Sequence, residues 1–145
     1  MKKCVEFCDN PPWIRKAPTT GAKGRGLAYE RKIKKLLLEQ FEDSFEVLLG
    51  SWTRSGSISH WDYRQFDALL VGKKRVYLIE IKLSHKSEAL TKLLEVYLPL
   101  VQKLYRKRKV IPVQICKSVP RQFPDKVVLL NKLPTVKGYC VVLQP

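Results

Sequence analysis

Residues 65–83 read QFDALLVGKKRVYLIEIKL, two apolar runs joined by a short Gly-Lys-Lys sequence. Glycine and polar residues between runs rich in branched and aromatic side chains are typical of a β-hairpin. The stretch therefore predicts strands at 65–71 and 75–83. The second run is apolar on both faces except at Glu80 and Lys82, which indicates a central position in a sheet.

Helices are predicted on both sides of this hairpin. Ile33, Leu37 and Phe41 recur at helical spacing and predict a helix over 26–41. A longer helix is predicted over 87–107, and Pro99 should kink it because proline cannot donate a backbone hydrogen bond. Serine, glycine and histidine in 53–64 predict a polar loop. The other apolar runs predict short strands, at 45–52, 110–116, 127–130 and 139–143.

The order of these elements predicts a mixed α/β fold. A chain of 145 residues has the length of one domain with one hydrophobic core. The first 25 residues hold several prolines and scattered lysines, which are typical of an irregular arm. We therefore expect a basic N-terminal arm at 1–25 and a single domain at 26–145.

The charge of the chain points to a polyanionic partner. Lysine and arginine number 28 against 13 acidic residues, which gives a net charge of +15. Nucleic acid is the usual partner of such a domain, because each neutralised phosphate releases condensed counterions. An anionic membrane surface, an acidic protein or a basic surface kept for solubility are the alternatives. Basic residues cluster at 15–35 and 103–109, which would fit two walls of a groove.

The sequence has no feature of a membrane or secreted protein. No apolar run approaches the roughly 20 residues that cross a bilayer. Glu6 and Asp9 interrupt any signal-peptide core near the N-terminus. We expect a soluble, intracellular protein without a membrane partner.

The four cysteines are Cys4, Cys8, Cys116 and Cys140. A disulfide framework is not expected without secretion. Three residues separate Cys4 from Cys8, a looser spacing than the tight pairs of zinc knuckles. The cysteines near apolar strands fit core positions, so structural zinc is not the expectation.

The candidate chemistry centres on Asp67, Glu80 and Lys82. Glu80 and Lys82 project from the same face of their strand because side chains alternate. If the hairpin forms, Asp67 can lie beside Glu80. Two converging carboxylates make a site for a hard cation such as Mg²⁺ or Mn²⁺, and a neighbouring lysine can hold or activate a water molecule. The alternative is a simple ion pair between Glu80 and Lys82 on an exposed strand.

Two further acids bear on this site. Glu30 lies at the edge of the apolar helical stripe and is the one acid in the basic 15–35 cluster. It is a candidate for an additional carboxylate that reaches the metal, or else a surface partner of Arg31 or Lys34. Asp62 is a rival of Asp67 for the ligand role. Asp67 is preferred because it directly precedes an apolar strand.

These residues resemble the PD-(D/E)xK nuclease superfamily, most closely the archaeal Holliday-junction resolvases and related phage nucleases. The likeness covers about residues 24–116. Its motifs are Gly26-Leu27-Ala28-Tyr29-Glu30 on the helix, a loop with Ser55 and Ser57, Asp67 on one strand, and Glu80-Ile81-Lys82 on the next. The family's proline before the aspartate is replaced by Phe66.

The resemblance implies a restriction-endonuclease-like core, a mixed sheet of four to five strands flanked by helices. It implies that Asp67, Glu80 and the Ile81 carbonyl bind Mg²⁺, that Lys82 positions the attacking water, and that Glu30 assists. Hydrolysis would leave a 5′-phosphate. Several polar residues are candidates for DNA contacts: Arg25, Arg31, Ser55, Ser57, Gln102, Lys103, Arg106 and Lys107. A flexible polar loop at the serines and a solvated helix end at 103–107 are the alternatives.

The expected function is a Mg²⁺-dependent DNA endonuclease, acting on branched or Holliday-junction DNA. Paired cuts at a junction would require a homodimer with two sites. An exonuclease, a nicking enzyme or a restriction-type nuclease on the same core is the first alternative. A non-catalytic nucleic-acid-binding protein is the second.

Overall fold

The computed structural model describes residues 4–11, 21–84, 87–118, 127–128 and 141–143. The helical elements are α1 (Gly21–Phe41), α2 (Ser87–Lys92), a π-helical segment (Leu93–Tyr97) and α3 (Leu98–Leu104). The strands are β1 (Cys4–Cys8), β2 (Glu46–Leu49), β3 (Trp52–Ser57), β4 (His60–Gln65), β5 (Ala68–Val71), β6 (Arg75–Ser84), β7 (Lys109–Ser118), β8 (Val127–Val128) and β9 (Val141–Leu143).

The strands form two sheets. The larger sheet has the order β2-β5-β6-β7-β9-β8, antiparallel from β2 to β6 and parallel from β6 onward. The smaller, antiparallel sheet has the order β1-β3-β4. The predicted α/β class with a mixed sheet is confirmed. The predicted count of four to five strands is wrong, because the larger sheet has six and a second sheet was not foreseen.

The predicted hairpin is present at the centre of the larger sheet. The Gly72 N–H donates to the Arg75 carbonyl oxygen at 2.9 Å, which closes the turn. A side chain at Gly72 would place its Cβ 2.9 Å from the Phe45 ring, so this turn requires glycine. Ala68 pairs with Ile79 across the hairpin. The same antiparallel register brings Asp67, one residue earlier, beside Glu80, one residue later.

The predicted polar loop at 53–64 is wrong, since these residues form most of β3 and β4. The two strands continue the register of β2 and β5: Leu49 pairs with Ala68, and Trp52 pairs with Gln65. Between them the Gly50 N–H bonds to the Asp67 carbonyl at 3.0 Å. Main-chain hydrogen bonds hold β3 and β4 together, and we call this pair of strands the polar ribbon. The pattern of apolar residues does not predict it.

Other boundaries also differ from the prediction. The predicted strand at 45–52 is divided at Gly50, which adopts φ 65°, and the predicted strand at 65–71 is interrupted between Gln65 and Ala68. The predicted irregular arm contains β1, which pairs with β3, and α1 begins at Gly21 rather than at 26. The predicted 87–107 helix ends at Leu104 and passes through the π-helical segment.

Helices cover both faces of the hairpin. On one face, Ile33 and Leu37 of α1 pack in a cluster with Ile79. On the other, Leu93 and Val101 pack with Leu78. Pro99 stands in the first turn of α3, where a missing N–H is tolerated. None of the helices in the described ranges has the length and apolar character that a membrane span requires.

One buried hydroxyl gives a prediction about stability. The Tyr29 hydroxyl oxygen is buried and has no hydrogen-bond partner among the described residues. We expect Tyr29→Phe to raise the free energy of unfolding by about 1 kcal/mol, because a desolvated, unbonded hydroxyl is removed. Urea denaturation measures this change. Tyr63→Phe is the control, since its hydroxyl bonds Arg54. A loss of stability in Tyr29→Phe as large as in Tyr63→Phe would contradict the prediction.

Candidate active site

Three carboxyl groups lie close together near the junction between β4 and β5. Asp67 lies between β4 and β5, and its Oδ2 accepts a hydrogen bond from the Ile81 N–H at 2.8 Å. A side-chain hydrogen bond joins Asp67 to Glu30 of α1. Glu30 also pairs with Lys34 at 3.5 Å. Glu80 lies beside Asp67 on β6, so the predicted acidic residues converge.

The Asp67 carboxyl group is largely buried and lies close to two other carboxyl groups. Burial, followed by the hydrogen bond with Glu30, raises the pKa of Asp67 to about 7, and the charges of Glu30 and Glu80 act in the same direction. The Ile81 N–H opposes this shift by stabilising the ionised form. A cation bound between these carboxylates would remove the cause of the repulsion.

Glu80 is the most enclosed of these acids, with 7% of its surface exposed. Burial raises the pKa of its carboxyl group, against the charges of Lys82 and Lys92 and a hydrogen bond from Gln114. Its Oε1 is buried without a hydrogen-bond partner among the described residues. An unbonded buried carboxylate oxygen is costly unless it serves as a ligand.

A pocket of about 130 Å³ opens in front of these groups, between β6 and α2. Its lining includes Asp67, Glu80, Lys82, Lys92 and Tyr97. The Ile81 carbonyl points to the same side of β6 as the Ile81 N–H, because both groups of one strand residue face the same neighbour. That neighbour is Asp67, so the Ile81 carbonyl lies on the side of β6 that faces Asp67.

This donor set fits a hard divalent cation. It consists of two carboxylates and a carbonyl oxygen, which are the ligands of Mg²⁺ and Mn²⁺. Among the described residues, no three His, Cys, Asp or Glu side chains are grouped as ligands of one ion. The predicted set needs only the side chains of Asp67 and Glu80. Glu30 contacts this set through its side-chain hydrogen bond to Asp67.

Lys92 also lines this pocket, and the sequence did not predict it there. It lines the pocket from α2, and its charge lowers the pKa of Glu80. Its Nζ lies 5.7 Å from the centre of the Tyr97 ring. The π-helical segment begins directly after Lys92, and such segments are frequent at functional sites. The helical pattern alone did not show which lysine of this segment turns toward the sheet.

The predicted DNA contacts divide into two groups by position. Arg25 and Arg31 are exposed on α1, the helix that carries Glu30. Ser55 and Ser57 are half-buried on β3 rather than in a loop, and the hydroxyl oxygens of Ser57 and Ser59 lie 3.0 Å apart. Asp62, the rival of Asp67, is exposed on β4 and pairs in register with Ser55, away from Glu80.

The second basic cluster lies at the other end of the sheet. Lys103, Arg106 and Lys107 are exposed and Gln102 is half-buried, all near the end of α3. The strand that follows begins at Lys109, which pairs with Arg75. Five residues at about 3.3 Å each separate Arg75 from Glu80, a distance of about 17 Å along β6. Lys103, Arg106 and Lys107 therefore do not lie across the carboxylates from Arg25 and Arg31.

The cysteines lie in different parts of the fold. Cys4 and Cys8 belong to β1 in the smaller sheet, and Cys116 is buried on β7 in the larger one. Cys140 lies outside the described residues. Burial, together with the charge of Glu80, raises the pKa of Cys116 to about 12, so its thiol stays protonated and is a poor metal ligand.

No family model and no curated protein matches this chain. The interpretation of the site therefore rests on the residues of the site. The features that carry it are the three converging carboxyl groups, the buried unbonded Glu80 oxygen and the two lysines at the pocket.

The raised pKa of Asp67 predicts an unusual dependence of stability on pH. Between its ordinary pKa of 3.8 and its folded pKa of about 7, the folded chain holds a proton that the unfolded chain releases. This contribution is complete below the lower value and is lost as pH rises through the upper one. We therefore expect the metal-free protein to melt at a lower temperature at about pH 8 than at about pH 5.5.

Scanning calorimetry in a chelating buffer measures the difference, with Asp67→Asn as the control. The variant should show a smaller fall in melting temperature over the same range, because its amide does not titrate. A wild-type melting temperature that rises across this range would contradict the raised pKa.

Proposed function

We propose that this protein is a Mg²⁺-dependent DNA endonuclease with a restriction-endonuclease-like core. The observation that supports the proposal most is the position of Asp67 beside Glu80, at a pocket that Lys82 also lines. Buried carboxylates in a strongly basic chain are costly to maintain. Their placement is explained if they bind a cation that in turn meets a phosphate.

Asp67, Glu80 and the Ile81 carbonyl would hold the cation. A bound Mg²⁺ polarises a phosphodiester and lowers the pKa of a coordinated water. Lys82 would hold the attacking water by donating a hydrogen bond from its ammonium group, and its charge would stabilise the negative charge that develops on phosphate. Lys92, across the pocket, would contact a non-bridging phosphate oxygen. Glu30 would hold the Asp67 carboxyl group in place through the side-chain hydrogen bond that joins them.

Charge supports DNA as the substrate. The net charge of +15 favours a polyanion at long range. Arg25 and Arg31 are exposed on the helix that bears Glu30, so phosphate contacts there would lie next to the carboxylates. The basic cluster at Lys103–Lys107 would contact a more distant part of a DNA molecule, because this end of the sheet lies about 17 Å along β6 from Glu80.

The choice of branched DNA rests on the resemblance to junction resolvases. A homodimer would supply the second site that paired cuts need. An exonuclease, nicking or restriction-type activity would use the same core. A protein that only binds nucleic acid would gain nothing from buried carboxylates facing phosphate, which would repel its ligand.

A panel of substrates tests this function. The protein is incubated with linear duplex, single-stranded, flap and four-way-junction DNA in Mg²⁺, beside Glu80→Ala. Symmetric nicks in the junction alone would support the resolvase activity. Cleavage that is unchanged in Glu80→Ala would rule out the assigned site. Salt-dependent binding without cleavage of any substrate would favour the non-catalytic alternative.

Lys92→Met gives a graded prediction at this site. We expect cleavage to fall by about tenfold, because one phosphate contact is lost while the ligand groups remain. Single-turnover rates measure the effect. Lys73→Met, an exposed lysine in the distant turn, should cleave at the wild-type rate. Equal rates for both variants would remove Lys92 from the site.

A further inference from the structure

Two buried side chains linked by a hydrogen bond, Gln114 and Cys116, lie next to Glu80 on the neighbouring strand β7. Gln114 of β7 pairs in register with Glu80 of the parallel strand β6 and has no exposed surface. The Gln114 side chain stabilises the ionised form of the Glu80 carboxyl group, so the two side chains lie close to each other. Cys116, two residues further along β7 and fully buried, donates from its Sγ to the Gln114 Oε1 at 3.4 Å.

The thiol determines which way the Gln114 amide faces. A glutamine side chain has an acceptor oxygen at one corner and a donor NH₂ at the other. Because the Cys116 S–H occupies the oxygen, the NH₂ group is the one available to Glu80. A carboxylate that accepts this donor with one oxygen keeps its other oxygen in a fixed direction. The unbonded Oε1 of Glu80 is then available to a cation.

A buried amide is expensive where an apolar side chain would fill the same space. Apart from Gln114, the buried residues of β7 from Val110 to Cys116 are all apolar or cysteine. Gln114 interrupts this pattern at the position that pairs with Glu80. Packing alone does not explain a polar side chain there, whereas an orienting contact to Glu80 does.

We propose that Gln114 is a positioning residue that orients the Glu80 carboxylate for a divalent cation, and that Cys116 fixes the orientation of its amide. The inference deepens the proposed function and rests on its metal site. Partners that orient metal ligands in this way affect metal affinity about 10–100-fold when removed. Gln114 is not expected to touch the cation or the DNA.

The test measures Mn²⁺ binding to the full-length protein without DNA, by isothermal titration and by the electron paramagnetic resonance of free Mn²⁺. Gln114→Met keeps the volume of the side chain and removes the amide. We expect its Kd for Mn²⁺ to rise by about tenfold or more. Cys116→Ala should raise the Kd severalfold because the amide can rotate, and Cys116→Ser should restore it because the hydroxyl donates in place of the thiol.

The outcomes separate this inference from the nuclease function. Wild-type Kd values in Gln114→Met, or equal values in Cys116→Ala and Cys116→Ser, would overturn the role of Gln114 even if the protein cleaves DNA. The absence of Mn²⁺ binding by the wild type would overturn it as well. If Gln114→Met fails to fold, the two Cys116 variants decide. The expected Kd pattern without cleavage of any DNA would retain the inference and reject the nuclease function.

Discussion

Asp67→Asn is expected to reduce Mg²⁺-dependent cleavage by at least about 10³-fold, the equivalent of about 4 kcal/mol of transition-state stabilisation. An amide oxygen can still accept the Ile81 N–H, so the local backbone should be retained. It cannot supply the negative charge that holds a divalent cation. The same variant should melt at a higher temperature than the wild type at about pH 8 without metal, because an ionised, crowded carboxylate is removed.

Loss of activity with a gain in stability distinguishes a ligand from a structural residue. Single-turnover cleavage and calorimetry of the same preparation measure the two effects. Asp62→Asn is the matched control, since Asp62 is an exposed aspartate five positions earlier in the chain. It should match the wild type in both measurements. An inactive Asp62→Asn beside an active Asp67→Asn would exchange the roles of the two residues.

The core of the site could be predicted because its geometry is local. A turn at Gly72 and the alternation of side chains on a strand are enough to bring Asp67 beside Glu80. Helical spacing alone put Glu30 at the edge of the buried face of α1. Each of these inferences uses residues that are close in sequence or follow a single repeat, so the sequence of this chain was sufficient.

The ribbon could not be predicted because non-local pairing holds it together. β3 and β4 carry polar residues, and β3 is flanked by β1, whose Glu6 forms an ion pair with Arg54 across 48 positions of sequence. Neither segment has the apolar alternation that identifies a half-buried strand. An irregular arm and a polar loop were therefore the natural interpretations of two segments that in the structure form one sheet.

Lys92 and Gln114 were missed for a related reason. Gln114 is significant only because β7 lies parallel to β6 in a register that places it next to Glu80. The intervening helices separate the two strands along the chain, and no motif in the sequence predicts their register. Lys92 is one of three lysines in the predicted 87–107 helix, and the π-helical segment that begins directly after it was not predicted.

Lys82→Ala is expected to lower the single-turnover cleavage rate by about 10³-fold while Mn²⁺ binding stays near the wild-type value. Lys82 is exposed at the mouth of the pocket, and its charge reaches Glu80 from the same face of β6. A donor that stabilises the charge developing in the transition state contributes about 10²–10³-fold to the rate. It is not a ligand, so its loss should leave the carboxylates able to bind the cation.

Lys82→Arg should restore less than about tenfold of the lost rate, because a planar guanidinium cannot donate from the position of a compact ammonium. Lys74→Ala is the matched control: an exposed lysine in the turn at the opposite end of β6, expected to cleave like the wild type. Recovery of the full rate in Lys82→Arg would reduce the role of Lys82 to its charge. A Lys82→Ala rate within tenfold of wild type would remove it from the reaction, and the pocket would then depend on Lys92 for its positive charge.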